Sequence, residues 1–207
     1  MADRANWWKR KYERAMILSK RDITNAIITG VTTGILAWLI LKHLEKPTTA
    51  WLIVIVPILW IAGVQLGYFL GRWLKPFEQF GIFAAIGFTN FAVDAGVLNL
   101  LLATTGIAGG IWYSVFKSIS VIIAILHSYF WNRRWTFQSH NAPEQEFIKF
   151  FLVMIVSLLV NVGVASLVVH LLPLSIINAN IGSVAGSAVA LIFSFVGFRV
   201  AVFKSAK

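Results

Sequence analysis

The sequence predicts an all-α polytopic membrane protein with six transmembrane helices, on three observations. Of its 207 residues, 58% are hydrophobic and only 13% charged, where a soluble domain carries about 25% charged residues. The mean hydropathy is +0.79, and charge is missing from whole blocks instead of being thinned evenly. Those blocks recur at about 20 residues, the length at which a helix crosses a ~30 Å hydrocarbon core. Lipid leaves backbone groups satisfied only in helices or closed barrels, so each block is expected to be a helix.

The chain opens with MADRANWWKRKYERAMILSKRD, a charged segment without the compact apolar core of a cleavable signal peptide. Trp8, Tyr12, Ala15 and Met16 fall near helical spacing with basic residues between them. Residues 1–22 are therefore expected to form an interfacial amphipathic helix drawn to anionic lipid; partner docking is the alternative role. The first two spans, Ile23–Leu41 and Trp51–Gly71, carry Gly30-x-x-x-Gly34 and Gly63-x-x-x-Gly67-x-x-x-Gly71. Small residues four apart let helices approach closely. The remaining spans are expected at Gln79–Ala103, Ile111–Trp131, Phe147–Leu172 and Ala179–Val202, the last with Gly182, Gly186 and Ala190 on one face. The organisation expected is a leader (1–22), two additional helices (23–75) and a four-helix domain (76–207).

Fifteen of the 18 lysines and arginines fall before the first span, between the second and third, between the fourth and fifth, or after the sixth. The opposite connections hold only Lys42 and Lys46, and Lys117 lies inside a span. Both termini are thus expected on the cytoplasmic side. The net charge of +10 sits at the ends of apolar runs and not on a soluble basic face, which argues against nucleic acid as a partner. With no cysteine, disulfides and thiolate metal sites are excluded. No catalytic constellation, phosphate loop or dinucleotide fingerprint stands out, so neither enzyme chemistry nor a cofactor is expected. Glu144 and Glu146, beside Pro143 in the loop before the fifth span, are expected to be solvated.

The last four spans contain a duplication. Phe80 and Asn90 are spaced as Phe151 and Asn161 are, and SYFWNRRWTF (128–137) aligns with SFVGFRVAVF (194–203). The shared pattern, S-[YF]-x-x-x-R-x-x-x-F, matches Arg133 with Arg199. These four spans are therefore expected to form two helical hairpins of the same topology, related in parallel by an axis along the membrane normal. The glycine faces permit a homodimer.

Charged and amide side chains are rare within the spans. Asp94 and Lys117 are each 16 residues from a charged group at the cytoplasmic end, which puts both at roughly 24 Å depth on consecutive antiparallel helices. We expect an ion pair, serving either a polar site or packing, since either charge alone costs about 2.5–3.5 kcal/mol at mid-membrane. Asn90, one turn before Asp94, and its repeat equivalent Asn161 lie at ~18 Å. Interhelical hydrogen bonding or ligand contact would explain either amide.

From about Phe80 to Phe203 the chain resembles the GtrA-like family of small polyprenyl-sugar membrane proteins. The resemblance rests on FxxxGxxNFxxDxGVLxLLL (Phe83, Gly87, Asn90, Phe91, Asp94, Gly96), on SYFWNRRWTF with its Asn132-Arg133 tail, on FIKFFLV and on the closing FRVAVF. It implies a four-helix domain that moves a polyprenyl-phosphate-linked monosaccharide across the inner (cytoplasmic) membrane of a prokaryote, for cell-surface polysaccharide or glycoconjugate synthesis. The alternative it implies is a scaffold that recruits a polyprenyl-phosphate glycosyltransferase. The two additional spans and the basic leader depart from the family pattern. Candidate substrate-binding residues are Asn90, Asp94, Lys117, Asn132, Arg133, Asn161 and Arg199. A guanidinium pairs a phosphate bidentately, which suits Arg133 and Arg199; plain interfacial anchoring is the other reading of Arg133. Trp112, Trp131 and Trp135 are candidates for stacking on the sugar or for the interfacial belt.

Overall fold

The apolar blocks form six helices: α1 (Lys20–His43), α2 (Leu52–Leu70), α3 (Pro76–Thr105), α4 (Gly110–Trp131), α5 (Pro143–Leu171) and α6 (Ile176–Gly197). All six are long and apolar enough to cross a membrane. The structure, a computed structural model, describes residues 18–43, 47–107, 109–173 and 176–203. Apart from residues 18–22, the interfacial helix expected at 1–22 lies outside the described residues, as do Lys46, Lys204 and Lys207.

Several helix ends have a local cause. Ser19 caps α1: its hydroxyl accepts the Asp22 N–H at 3.1 Å, the side-chain bond of an N-cap, and donates to the Asp22 carboxylate at 2.5 Å. Proline opens α3 and α5, where its missing N–H is harmless. Gly106, with φ of +69°, ends α3 and returns its N–H to the Leu102 carbonyl at 2.9 Å.

The chain divides into two compact units, one ending at Thr136 and the other beginning at Phe137. In the first, α3 is central and packs against α1, α2 and α4. Glycines set the spacing there. A Cβ on Gly30 would lie 2.5 Å from the Pro57 Cα, and one on Gly67 would lie 2.8 Å from the Phe77 carbonyl oxygen, whereas Gly63 has nothing within 4 Å. Gly30→Ala is therefore expected to destabilise the fold by about 1–3 kcal/mol, because backbone cannot yield as a flexible side chain does. Gly63→Ala should leave the unfolding midpoint in detergent unchanged.

Two polar nodes hold the added helices to α3 and to the tail of α4. Thr89, fully buried, accepts from the Trp60 indole at 3.0 Å and from Thr33 at 3.1 Å, joining α1, α2 and α3. Asp22, 1% exposed, receives the Tyr68 hydroxyl at 3.0 Å and the Trp135 indole N–H at 2.9 Å.

In the second unit α5 packs on α6, with Gly182 and Gly186 against Ala165, Val169 and Asn161 and a Ser194–Ser157 hydrogen bond of 2.7 Å. Phe137 and Phe203, equivalent in the sequence repeat, stack at 4.9 Å, and Phe150 stacks on Phe198 at 4.4 Å. The element bounds carry the same correspondence. α4 and α6 are both 22 residues long, and each runs into a five-residue π-helical turn, Asn132–Thr136 or Phe198–Val202.

Candidate functional site

The helical repeat puts Gln79, Asn90 and Asp94 within an arc of about 60° on α3. On α4, Lys117, Ser120, Ala124, His127 and Ser128 form the corresponding stripe, and α3 and α4 pack together. Small residues at Ser120, Ala124 and Ser128, all buried, let the two helices meet closely.

At the end of this seam toward the 106–109 connection, the Lys117 ammonium lies 2.6 Å from the Asp94 carboxylate. The ion pair expected from equal depth is thus present. The Ser120 hydroxyl has one proton for two acceptors, the other Asp94 carboxylate oxygen at 2.6 Å and the Lys117 carbonyl at 2.9 Å. The side chains remain 41% (Lys117) and 25% (Asp94) exposed, so the pair is open to its surroundings as well as internally compensated.

Along the seam toward the basic end, three buried polar atoms have no hydrogen-bond partner among the described residues: Asn90 Oδ1, His127 Nδ1 and Gln79 Oε1. Such orphaned atoms are exceptional, since burial without a partner costs roughly 1–3 kcal/mol each. Where they recur on two packed helices between a charge pair and a basic tail, the seam has spare capacity for a polar guest.

The tail that closes α4 is a π-helical turn, a backbone form concentrated at functional sites. Asn132, 1% exposed, donates to the Ser128 carbonyl at 2.9 Å and hydroxyl at 3.2 Å, and accepts from Thr136 at 3.0 Å. Its amide is consumed in shaping the turn. Arg133 is partly exposed on that turn, and the Arg134 guanidinium lies over Phe130 at 5.2 Å. Trp135 is wholly buried, with its indole committed to Asp22, so the sugar-stacking and interfacial-belt readings are both corrected for this residue. Trp131 packs between His127 and Trp135, and Trp112 is exposed.

In the second unit, Asn161 is partly exposed and its amide oxygen abuts the Gly186 Cα region. Arg199 lies, partly exposed, on the second π-helical turn. Glu144 is exposed, but Glu146 is 2% exposed and accepts a hydrogen bond from Ser139. The expectation that both were solvated fails for Glu146, whose position on the first turn of α5 faces the loop inward. Among the described residues no three His, Asp or Glu side chains gather to hold a metal.

Asp22 falls in the charged leader expected to lie at the membrane interface, and nothing in that expectation gave it a role. A serine just before the first apolar run with an acid in the first helical turn is a helix-start signal, and it was the available pointer to the local role of Asp22. Nothing local pointed to Tyr68 or Trp135 as its partners.

Comparison with known proteins adds three findings. Residues 82–203 match the family model described as the GtrA/DPMS transmembrane domain. The chain is 26% identical over 140 residues to YngA, an uncharacterized membrane protein of Bacillus subtilis (strain 168), covering 66% of this chain and 88% of that protein. No solved structure matches.

Proposed function

The chain belongs to the GtrA/DPMS transmembrane-domain family, and from that premise we propose that it translocates a polyprenyl-phosphate-linked monosaccharide across the cytoplasmic membrane without catalysing a reaction. The observation that carries this reading is the seam between α3 and α4. A lipid-linked sugar needs a route through hydrocarbon where its hydroxyls keep hydrogen bonds while its tail stays in lipid. Gln79, Asn90 and His127 offer unpartnered polar atoms along that route. The Asp94–Lys117–Ser120 cluster offers polarity without net charge, as a neutral sugar ring requires. Arg133, at the basic end, supplies the guanidinium for the single phosphodiester charge. By the positive-inside bias the basic end is cytoplasmic. Arg199 and Asn161 provide equivalent groups in the second unit.

The exposed cations Lys20, Arg21, Arg72, Lys75 and Arg134 at the basic end support a second reading, a docking surface for a glycosyltransferase. The two separate on Asn90→Leu and His127→Leu, tested in liposomes with a labelled polyprenyl-phosphate monosaccharide. Removing an orphaned polar atom should leave thermal stability unchanged or raised. On the translocator reading these variants slow transbilayer movement at least tenfold. Wild-type rates in both variants would remove the seam from the transport path.

A further inference from the structure

The helices that precede the family match build two grooves with α3, and neither belongs to the polar seam. The first, about 310 Å³, runs between α2 and α3 with Leu59, Leu66, Phe80 and Phe88 as walls and Gly63 and Gly81 in its floor. Its α3 wall, from Phe77 to Phe88, covers about 16 Å, half of a ~30 Å hydrocarbon core. At its basic end the chain turns through Arg72 and Lys75, both exposed, and the Arg72 guanidinium lies 5.5 Å over the Phe69 ring. The second groove, about 390 Å³, lies between α1 and α3 in the opposite half of α3, with Leu36, Leu39, Val97 and Leu100 as walls. Lys42 lies at its rim, its ammonium 5.2 Å over Trp38, and Asn99 adds an amide.

Each groove is therefore an apolar channel one helix gap wide with a cation near one end: Lys42 lines the second, and Arg72 follows two residues after Leu70, which lines the first, so the two cations lie toward opposite ends of α3. A bilayer phospholipid brings two chains; a groove of this width with a cation at its mouth matches a single-chain phosphate lipid. We infer that α1 and α2 hold the isoprenoid chain of a polyprenyl-phosphate lipid against α3, with its phosphate at Arg72 in one leaflet and at Lys42 in the other. The assignment rests on the translocator reading for the identity of the lipid. It also gives the added helices a role, which is to keep the tail beside α3 while the head crosses on the α4 side.

The test uses the full chain in liposomes of phosphatidylethanolamine and phosphatidylglycerol with a polyprenyl phosphate bearing a photoreactive group on its tail. Labelling is expected on both groove walls, for instance Leu66 and Phe80 in the first and Leu39 and Val97 in the second. Gly63→Leu fills the first groove, its Cβ entering open space with nothing within 4 Å. It should cut labelling there at least fivefold, and Ala103→Phe should do the same in the second groove. Ala62→Leu, exposed on α2 outside the groove lining, should change nothing. Labelling indifferent to both filling variants would overturn the inference, as would phosphatidylglycerol competing as well as unlabelled polyprenyl phosphate. Intact, competable labelling without any transbilayer movement would uphold the grooves and sink the translocator reading instead.

Discussion

Asp22→Ala is expected to destabilise the protein by about 3–5 kcal/mol, as removal of one partner from a buried charged network does. The carboxylate is 1% exposed and accepts from Ser19, Tyr68 and Trp135, so its loss strands an indole and a phenol in an apolar setting. Trp135→Phe, which removes one donor and leaves the acid two, should cost about 1.5–3 kcal/mol. Because the two side chains share a bond, the double variant should fall short of the sum of the singles. Thermal unfolding in detergent measures all three. An Asp22→Ala protein as stable as wild type would mean that the node does not hold α1 and α2 to the tail of α4.

The second large effect concerns the charge pair. Lys117→Met leaves Asp94 with Ser120 alone, and an uncompensated charge within a span costs about 2.5–3.5 kcal/mol on the insertion scale; the partial exposure of both side chains favours the lower end. Asp94→Asn combined with Lys117→Met removes both charges, so the double variant should be more stable than Lys117→Met. The two roles of the pair part company in transport. If the pair only packs helices, restoring stability restores activity. On the translocator account the double variant is stable and remains at least tenfold slower than wild type.

The spans were legible because hydrocarbon imposes a length on every apolar block. The expected Ile23–Leu41, Gln79–Ala103 and Ile111–Trp131 all fall inside helices α1, α3 and α4. Asp94 and Lys117 were legible for a related reason, since equal depth on neighbouring antiparallel helices needs only counting. The duplicated tail was readable in its spacing, and the matching π-helical turns carry it into the backbone. Asp22 was hidden because its partners stand 46 and 113 residues away, and beside Lys20 and Arg21 it looks like one more surface charge. Trp135 was misread because tryptophan beside arginine is also the signature of a membrane interface. The orphaned atoms of Asn90 and His127, and the grooves on α3, depend on which faces pack together, which periodicity alone does not fix when a helix is apolar all round.

The most direct measurement is the transbilayer movement of a labelled polyprenyl-phosphate monosaccharide in liposomes containing the purified protein, beside protein-free vesicles and an Arg133→Ala variant. The account predicts movement well above the protein-free rate and a clear loss in the variant. Equal rates in protein-containing and protein-free vesicles, with an established lipid scramblase active in the same preparation, would contradict it.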